Sequence, residues 1–422
     1  MAKRKRAEDR PLAKIESIHL TQPEQLAKLM RNLGVDAGGV EKMLPKCYHR
    51  VFLVRDISAG AANILKQEAL AVGAESAIPR WVVTGKPDHC DVLLIGEFTK
   101  LHRLSEKLVG QPFGLNGLGK KLRGMVDNFL QGRGLIWRIK DQVLDFSGGP
   151  KVMGIINLTP DSFSDGGSYP TVDKAIERAQ EMIAEGAEII DVGAVSTRPG
   201  SVPPSEEEEW RRLSGFLAGR GEIEAPLSVD TYRSGIARRA IELGAQIIND
   251  ISALRFDPQM ADLCAKTQVG IVLMHMQGEP ANMQKDPQYK NVIGEINAFL
   301  EGRLTELDAV GMERERIAVD VGFGFGKTVQ HNLALLGGLE AFRELGRPLV
   351  VGVSRKGFLG KLLNLEVGER LLPSVVASLI ALERGASVLR VHDVSETVMA
   401  CKLAEACRVN YAQEILGESD YV

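Results

Sequence analysis

From Lys151 onward the sequence alternates eight times between a short apolar segment and a longer segment with helical periodicity. The apolar segments are rich in β-branched residues, as expected for parallel strands covered on both faces. The helical segments carry an apolar stripe, for example over residues 175–185, 298–310 and 374–382. Eight such units in about 260 residues are typical of a TIM (β/α)8 barrel, and a doubly wound sheet is the alternative architecture. The predicted strands are 152–157, 188–193, 226–230, 246–250, 270–275, 317–320, 348–353 and 387–391.

Length and composition limit the class of protein. The chain has 422 residues and a formal net charge of −3, which allows a large and a smaller domain and predicts no nucleic-acid partner. No apolar run reaches the length of a membrane span, so no membrane partner is expected. Five cysteines without a CxxC pair favour reduced thiols and a cytoplasmic location. The basic start of the chain, residues 1–14, predicts a disordered tail because no apolar segment follows it.

A domain boundary is predicted near residue 131. Turn-rich sequence at 131–134 and 147–150 flanks two short strands around Lys140-Asp141, which predict a hairpin. We assign residues 15–131 to an accessory α/β domain of unknown role and residues 132–415 to the barrel with its N-terminal hairpin. The elements predicted in the accessory domain are helix 22–33, strand 50–56, helix 59–72, strands 77–83 and 91–96, and helices 98–109 and 117–130.

The segment MGIINLTPDSFSDGG, residues 153–167, is the most informative part of the barrel sequence. An apolar run stops at Thr159-Pro160, and a polar loop with two glycines follows, as expected where a buried strand delivers a loop to an active-site rim. Asn157 falls at the end of this strand, where its side-chain oxygen can meet a hard cation. An ordinary strand and turn is the simpler alternative.

Polar side chains recur at or just after the carboxyl ends of the predicted strands. Barrel active sites lie on that face. Burying so many polar groups without a ligand or mutual pairing would cost free energy, and structural pairing explains only one or two of them. The residues concerned are Asn157, Asp191, Asp230, Asn249, His275, Asp320, Ser354, Arg390 and His392.

Eight motifs in order resemble those of the dihydropteroate synthases, over roughly residues 134–410. The resemblance favours the barrel and implies a folate-pathway transferase. Its substrates would be 6-hydroxymethyl-7,8-dihydropterin pyrophosphate and p-aminobenzoate, its cofactor Mg²⁺, and its state a homodimer through the last helices. After the first motif at 153–167, the matching segments are VSTRPG (195–200), LSVDT (227–231), IINDIS (247–252), LMHMQG (273–278), DVGFGFGK (320–327), GVSRK (352–356) and RVHDV (390–394).

The resemblance also implies roles for individual residues. The pterin would be bound by Asp230, Asn249, Met274, Asp320, Phe325 and Lys356. The pyrophosphate would be bound by Asn157, Thr197, Arg198, Arg390 and His392, with Asn157 as the metal ligand. The p-aminobenzoate pocket would consist of Phe163, Thr197, Arg198, Pro199, Phe325, Ser354 and Lys356. Sulfonamides, which mimic p-aminobenzoate, are expected to compete there.

The implied mechanism begins with departure of the pyrophosphate and leaves a pterin methylene cation. The amine of p-aminobenzoate then attacks this cation. The catalytic set is Asn157, Asp161, Asp230, Asp320, Lys356, Arg390 and His392. Simpler interpretations remain for four of the site residues. The alternatives are that Asp230 caps a strand end, that Arg390 forms an ion pair at the barrel rim, that His392 is a rim histidine with its hydrogen bonds satisfied, and that Phe325 belongs to the core.

Other functions are less well supported. GFGFGKT at 322–328 lacks the first glycine of a phosphate-binding loop, and GVSRK lacks the closing glycine of a nucleophile elbow. A pterin-dependent methyltransferase acting on methyltetrahydrofolate and a corrinoid would share the pterin-binding residues but would not be expected to carry STRPG, SRK and RVHD. A non-catalytic binding protein is disfavoured because Asn157, Lys356 and Arg390 are all present.

Overall fold

The computed structural model describes residues 17–18, 23–84, 88–130, 135–159, 172–196 and 203–416. The chain divides into two compact units, one of residues 1–104 and 406–422 and one of residues 105–405. This division falls inside the helix Phe98–Val109, whereas the sequence predicts the boundary at residue 131.

The first unit contains a three-stranded antiparallel sheet and helices, as the sequence predicts in outline. Its strands are β1 (His49–Ser58), β2 (Glu75–Ala77) and β3 (His89–Glu97), in the order β1-β3-β2. Its helices are α1 (Pro23–Asn32), α2 (Ala37–Met43), α3 (Ala59–Ala71) and α4 (Phe98–Val109), with 3₁₀ turns at Leu44–Cys47 and Arg80–Thr84.

Two details of the sequence prediction for this unit are wrong. The strand predicted at 77–83 ends at Ala77, because Pro79 follows closely and has no backbone N–H for the sheet, and a 3₁₀ turn then buries Val82. Helix α2 was not predicted. Two glycines lower its helix propensity, but the Asp36 side chain accepts a hydrogen bond from the Gly39 N–H at 2.9 Å and caps it.

The second unit is a closed eight-stranded parallel barrel, and all eight predicted barrel strands are confirmed. Helix α5 (Leu115–Leu130) and the predicted hairpin, β4 (Ile136–Ile139) with β5 (Gln142–Asp145), precede it. The barrel strands are β6 (Lys151–Asn157), β7 (Ile189–Gly193), β8 (Leu227–Asp230), β9 (Ile247–Asp250), β10 (Gly270–Met274), β11 (Ile317–Asp320), β12 (Leu349–Val351) and β13 (Val388–Val391). The helices are α6 (Val172–Glu185), α7 (Glu206–Ala218), α8 (Ser234–Glu242), α9 (Met260–Thr267), α10 (Val292–Ala309), α11 (Val329–Gly337), α12 (Gly357–Leu363), α13 (Leu371–Glu383) and α14 (Val394–Leu416), with 3₁₀ turns at Gly219–Glu222, Arg314–Arg316, Leu339–Leu345 and Val367–Glu369.

The hairpin β4–β5 closes the amino-terminal end of the barrel. Trp137 and Ile139 are fully buried and pack on the first inward-facing residue of seven strands. The Trp137 indole N–H donates to the Arg316 carbonyl at 2.9 Å, so this large ring is buried without an unpaired donor. A Cβ at Gly270 would lie 2.4 Å from Ile139 Cγ2, which explains why glycine begins β10.

The second inward-facing layer of the barrel carries the polar residues. Side chains alternate along a strand, so the residue two positions after each member of the apolar layer also faces the barrel interior. Counting two positions on from these apolar residues, and from Ser228 in β8, gives a second layer that consists of Ile155, Asp191, Asp230, Asn249, Met274, Asp320, Gly352 and Arg390. The barrel therefore has an apolar base and a charged upper level at its carboxyl end.

Candidate active site

One cavity at the carboxyl end of the barrel gathers all six residues predicted to bind a pterin. It is lined by Asp230, Asn249, Ile251, Met274, Asp320, Phe323, Phe325, Gly352, Lys356 and Arg390. The six come from four strands and two following loops. Ile251, Phe323 and Gly352 were not predicted, although the even spacing of Ile251 from Asn249 and of Gly352 from Val350 could have identified those two as inward-facing. Ile251, Met274, Met276, Met283 and Phe325 form a continuous apolar cluster beside the charged groups.

The Arg390 guanidinium lies between two carboxylates. Its Nε donates to Asp191 Oδ2 at 2.6 Å, and its Nη2 donates to Asp230 Oδ2 at 3.0 Å. Asn249 Nδ2 donates to Asp191 at 3.3 Å, so the fully buried Asp191 carboxylate is held from two sides. Within the described part of the chain, Nη1 of Arg390 makes no hydrogen bond. The predicted pyrophosphate ligand Arg390 is therefore also a structural partner of Asp191 and of the predicted pterin ligand Asp230.

Two ionisable side chains of the site, Asp230 and Lys356, have pKa values that are shifted close to neutral pH. Burial raises the pKa of Asp230 to about 7, and nearby Asp191 adds to this, although Arg390 acts in the opposite direction. Burial also raises the pKa of Asp320. Burial and the neighbouring Arg390 lower the pKa of Lys356 to about 8, and its Nζ lies 4.4 Å from the centre of the Phe325 ring. Groups that change charge near pH 7 are typical of active sites.

The loop after β11 presents Phe325 to this cavity. Gly322, Gly324 and Gly326 all have positive φ, between 60° and 81°, which a side chain would oppose. The Gly322 N–H donates to Asp320 Oδ1 at 2.7 Å and ties the loop to the strand end. The glycines of GFGFGK thus serve backbone geometry, consistent with the rejection of a phosphate-binding loop.

Ser354 and His392 pair beside this cavity. The Ser354 hydroxyl accepts from the His392 backbone N–H at 3.2 Å and lies 3.0 Å from His392 Nδ1. The hydroxyl and Nδ1 share one hydrogen bond, whose direction depends on the tautomer of His392, because a serine hydroxyl can donate one bond and accept two. Burial and Arg390 lower the pKa of His392 to about 3, so the imidazole is neutral at physiological pH.

Other predicted site residues are placed differently or lie outside the described residues. Asn157 ends β6 and is partly exposed. His275, a strand-end residue, points away from the cavity and packs edge-on against Phe299, with ring centres 4.9 Å apart. Asp161, Phe163, Thr197, Arg198 and Pro199 lie outside the described residues.

Comparison with known proteins agrees with this geometry. The family model for pterin binding enzymes matches residues 153–392, more than half of the chain. The chain therefore belongs to the pterin-binding enzymes. A dihydropteroate synthase of Neisseria meningitidis serogroup C is 46% identical over 265 residues, covering 62% of this chain and 94% of the relative. Within the class, the chain belongs to the dihydropteroate synthase family, and it is an enzyme of the transferase type.

Solved structures extend the comparison. The chain is similar to the Yersinia pestis dihydropteroate synthase in complex with a sulfonamide drug, with 41% identity, a TM-score of 0.62 and coverage of 65% of this chain and 99% of the other. A Xanthomonas albilineans dihydropteroate synthase in complex with 7,8-dihydropteroate is 39% identical, with a TM-score of 0.58 and coverage of 64% and 98%.

One relative also matches outside the barrel. A Haloferax volcanii protein described as a probable bifunctional folylpolyglutamate synthase/dihydropteroate synthase is 32% identical over 404 residues. The match covers 94% of this chain and 48% of the relative. The match therefore includes residues of the first unit. The dihydropteroate synthase of Neisseria meningitidis serogroup C, by comparison, matches 62% of this chain.

Proposed function

We propose that this chain condenses 6-hydroxymethyl-7,8-dihydropterin pyrophosphate with p-aminobenzoate to give 7,8-dihydropteroate and pyrophosphate. The observation that carries the proposal is the cavity in which Asp230, Asn249, Asp320, Lys356 and Arg390 converge. Its neighbouring hydrogen-bond acceptors and donors match the polar edge of a pterin, and its methionines and Phe325 match the faces of a flat ring.

Pterin recognition depends on which cavity groups accept and which donate. The Asp230 and Asp320 carboxylates accept from ring N–H and amino groups, and Asn249 can do both. Lys356 donates to the acceptor atoms of the ring. Arg390 Nη2 lies 3.0 Å from Asp230 Oδ2, so it orients this carboxylate before the pterin arrives and opposes the rise in its pKa that burial causes.

The pyrophosphate is bound at the edge of the same cavity. Nη1 of Arg390 makes no hydrogen bond among the described residues and can donate to phosphate oxygens, and we assign the imidazole of His392 as a second ligand. The described residues contain no group of three or more His, Cys, Asp or Glu side chains placed to hold a metal ion. We propose Mg²⁺ as the cofactor, with Asn157 as its protein ligand, because Mg²⁺ keeps several waters and is bound largely through substrate phosphates. Bound Mg²⁺ would neutralise charge on the departing pyrophosphate.

The reaction needs no protein nucleophile. The bond from the exocyclic carbon to oxygen breaks, and its electron pair leaves with the pyrophosphate. The Asp320 and Asp230 carboxylates stabilise the cation that remains on the methylene and the ring. The p-aminobenzoate nitrogen then forms the new bond to carbon and releases a proton to the solvent. Arg390 and His392 hold the leaving group, and Asn157 and Asp161 complete the catalytic set.

The p-aminobenzoate pocket is formed beside Phe325, Ser354 and Lys356. By the family resemblance we also assign Phe163, Thr197, Arg198 and Pro199 to this pocket; these four lie outside the described residues. Sulfonamides compete at this pocket because they carry the same aniline group. The complex reported for the Yersinia pestis relative supports this proposal.

The assembly and location are also proposals. Helices α13 and α14 expose apolar side chains at spacings of four residues, so each helix presents an apolar face to the solvent. These residues are Leu372, Val376, Ile380, Met399 and Leu403. We propose a homodimer through this face.

All five cysteines are free, in keeping with a cytoplasmic location. No helix among the described residues is both long and apolar enough to cross a bilayer.

The test is pyrophosphate release by the purified protein with the dihydropterin pyrophosphate and Mg²⁺, with and without p-aminobenzoate. We expect dihydropteroate to form only when p-aminobenzoate is present and a sulfonamide to block it. Pterin binding without dihydropteroate formation, followed by methyl transfer to a corrinoid, would contradict the proposal and establish the methyltransferase alternative.

A further inference from the structure

A buried lysine outside the predicted site lies behind the Phe325 loop. Lys327 is 3% exposed. Its Nζ donates to the carbonyls of Gly322 and Phe325, each at 2.9 Å, and lies 3.1 Å from His275 Nδ1. No carboxylate among the described residues forms an ion pair with it, so backbone carbonyls and one imidazole provide its hydrogen bonds.

Burying an ammonium group without a carboxylate partner costs free energy of folding, so its hydrogen bonds to the two loops must offset that cost. Burial lowers the pKa of Lys327 to about 7, although Asp320 opposes this effect. Burial and Lys327 itself lower the pKa of His275 to about 2, so the imidazole is neutral. An ammonium has no acceptor, so His275 Nδ1 accepts from Lys327 and the ring proton is on Nε2. With the His275 carbonyl at 3.4 Å, the lysine Nζ has four acceptors, which come from two loops.

The carbonyls that Lys327 binds belong to the turn that orients two aromatic rings. Phe323 points into the core and stacks on Phe358, with ring centres 6.2 Å apart. Two residues later, Phe325 points into the cavity, where its ring meets Lys356. Because the Phe325 carbonyl is bound to Lys327, the backbone of Phe325 cannot rotate without breaking that bond.

We propose that Lys327 is a positioning residue that fixes Phe325 as a wall of the pterin cavity and thereby sets the affinity for the pterin. The inference rests on the proposed function, and it assigns a role to a residue that does not line the cavity. Lys327 acts through the Gly322 and Phe325 carbonyls, and His275 holds its ammonium from the neighbouring loop.

A double-mutant cycle tests this role. The Kd for 7,8-dihydropteroate is measured by calorimetry for the wild type, Lys327→Met, Phe325→Ala and the double variant. We expect Lys327→Met to raise the Kd about tenfold in the wild-type background and by less than about twofold when Phe325 is already alanine. Lys266→Met, a change at a 73% exposed lysine, is the control and should leave the Kd unchanged.

The outcomes separate positioning from a general structural role. A lysine that only stabilises the fold would lower Tm equally in both backgrounds without a background-dependent change in Kd, and that result would overturn the inference. Equal increases in Kd in both backgrounds would overturn it as well. If Lys327→Met does not fold, Lys327→Gln, which keeps one donor group, replaces it in the same cycle. Failure of the wild type to bind dihydropteroate would contradict the proposed function instead.

Discussion

Arg390 Nη2 and Asp230 Oδ2 are 3.0 Å apart across the barrel, although 160 residues separate them in the chain. Through Nε the same guanidinium also binds Asp191, whose carboxylate is fully buried. A residue predicted to bind pyrophosphate therefore also sets the ionisation and orientation of a residue predicted to bind the pterin. The two half-sites share one side chain, so their effects on binding should not be independent.

Replacing Arg390 should damage both activity and stability. Arg390→Met is expected to reduce product formation by at least about 100-fold, because it removes a donor to the leaving group. It should also lower the free energy of unfolding by about 3 kcal/mol, since Asp191 is left buried without its charged partner. Product assays and denaturant unfolding measure the two effects. Arg211→Met is the control variant. It breaks an ion pair at the surface with Glu208 and should lower the free energy of unfolding by less than about 1 kcal/mol. Unchanged turnover in Arg390→Met would refute the pyrophosphate role.

The pH dependence of kcat/KM for the dihydropterin pyrophosphate should be bell-shaped. Asp230 must be ionised to accept hydrogen bonds, and its pKa is raised to about 7, so activity is lost as the pH falls through about 7. Lys356 must be protonated, and its pKa is lowered to about 8, so activity is lost as the pH rises through about 8. Lys356→Arg should remove the alkaline limb because a guanidinium stays charged. A flat profile between pH 6 and about 9 would contradict both assignments.

Gly322 should not tolerate a side chain. Its φ is +69°, and a Cβ there would lie 2.0 Å from the His275 carbonyl oxygen, which belongs to the backbone and cannot move alone. Gly322→Ala is expected to lower the free energy of unfolding by about 3 kcal/mol and to raise the KM for the pterin substrate. Gly302→Ala is the matched control. No atom lies within 4 Å of the added Cβ in helix α10, so stability should rise by about 0.5–1 kcal/mol. Equal stability of the two variants would argue against the strained turn.

The exposed apolar face of α13 and α14 should control assembly. Leu372 is 72% exposed and Leu403 is 68% exposed, so a charge at either position is compatible with the folded subunit. Leu372→Glu combined with Leu403→Glu should produce a monomer in sedimentation experiments if a dimer forms through this face. Leu243→Glu, at a 40% exposed site on another surface, should not change the sedimentation behaviour. A wild type that is already monomeric would refute the homodimer.

Much of the barrel could be predicted because its pattern is local. The barrel strands have three to seven residues and are largely apolar on both faces, and each is bounded by a turn or a polar residue, so strand positions were predicted to within one or two residues. The accessory unit was less predictable. Strand β2 has three residues, and helix α2 contains two glycines, so neither gives a strong periodic signal.

The sequence alone determined which residue types reach the carboxyl end of the barrel, because alternation along a strand fixes which side chains face inward. The pattern of polar residues at the strand ends identified Asp230, Asn249, Asp320 and Arg390 as a group, and the family resemblance added Lys356. Only the tertiary structure decided their pairing. Whether Arg390 binds Asp191, whether His392 is neutral and why Lys327 is buried all depend on distances between strands and loops far apart in the chain. Those distances are set by closure of the barrel, which no local pattern encodes.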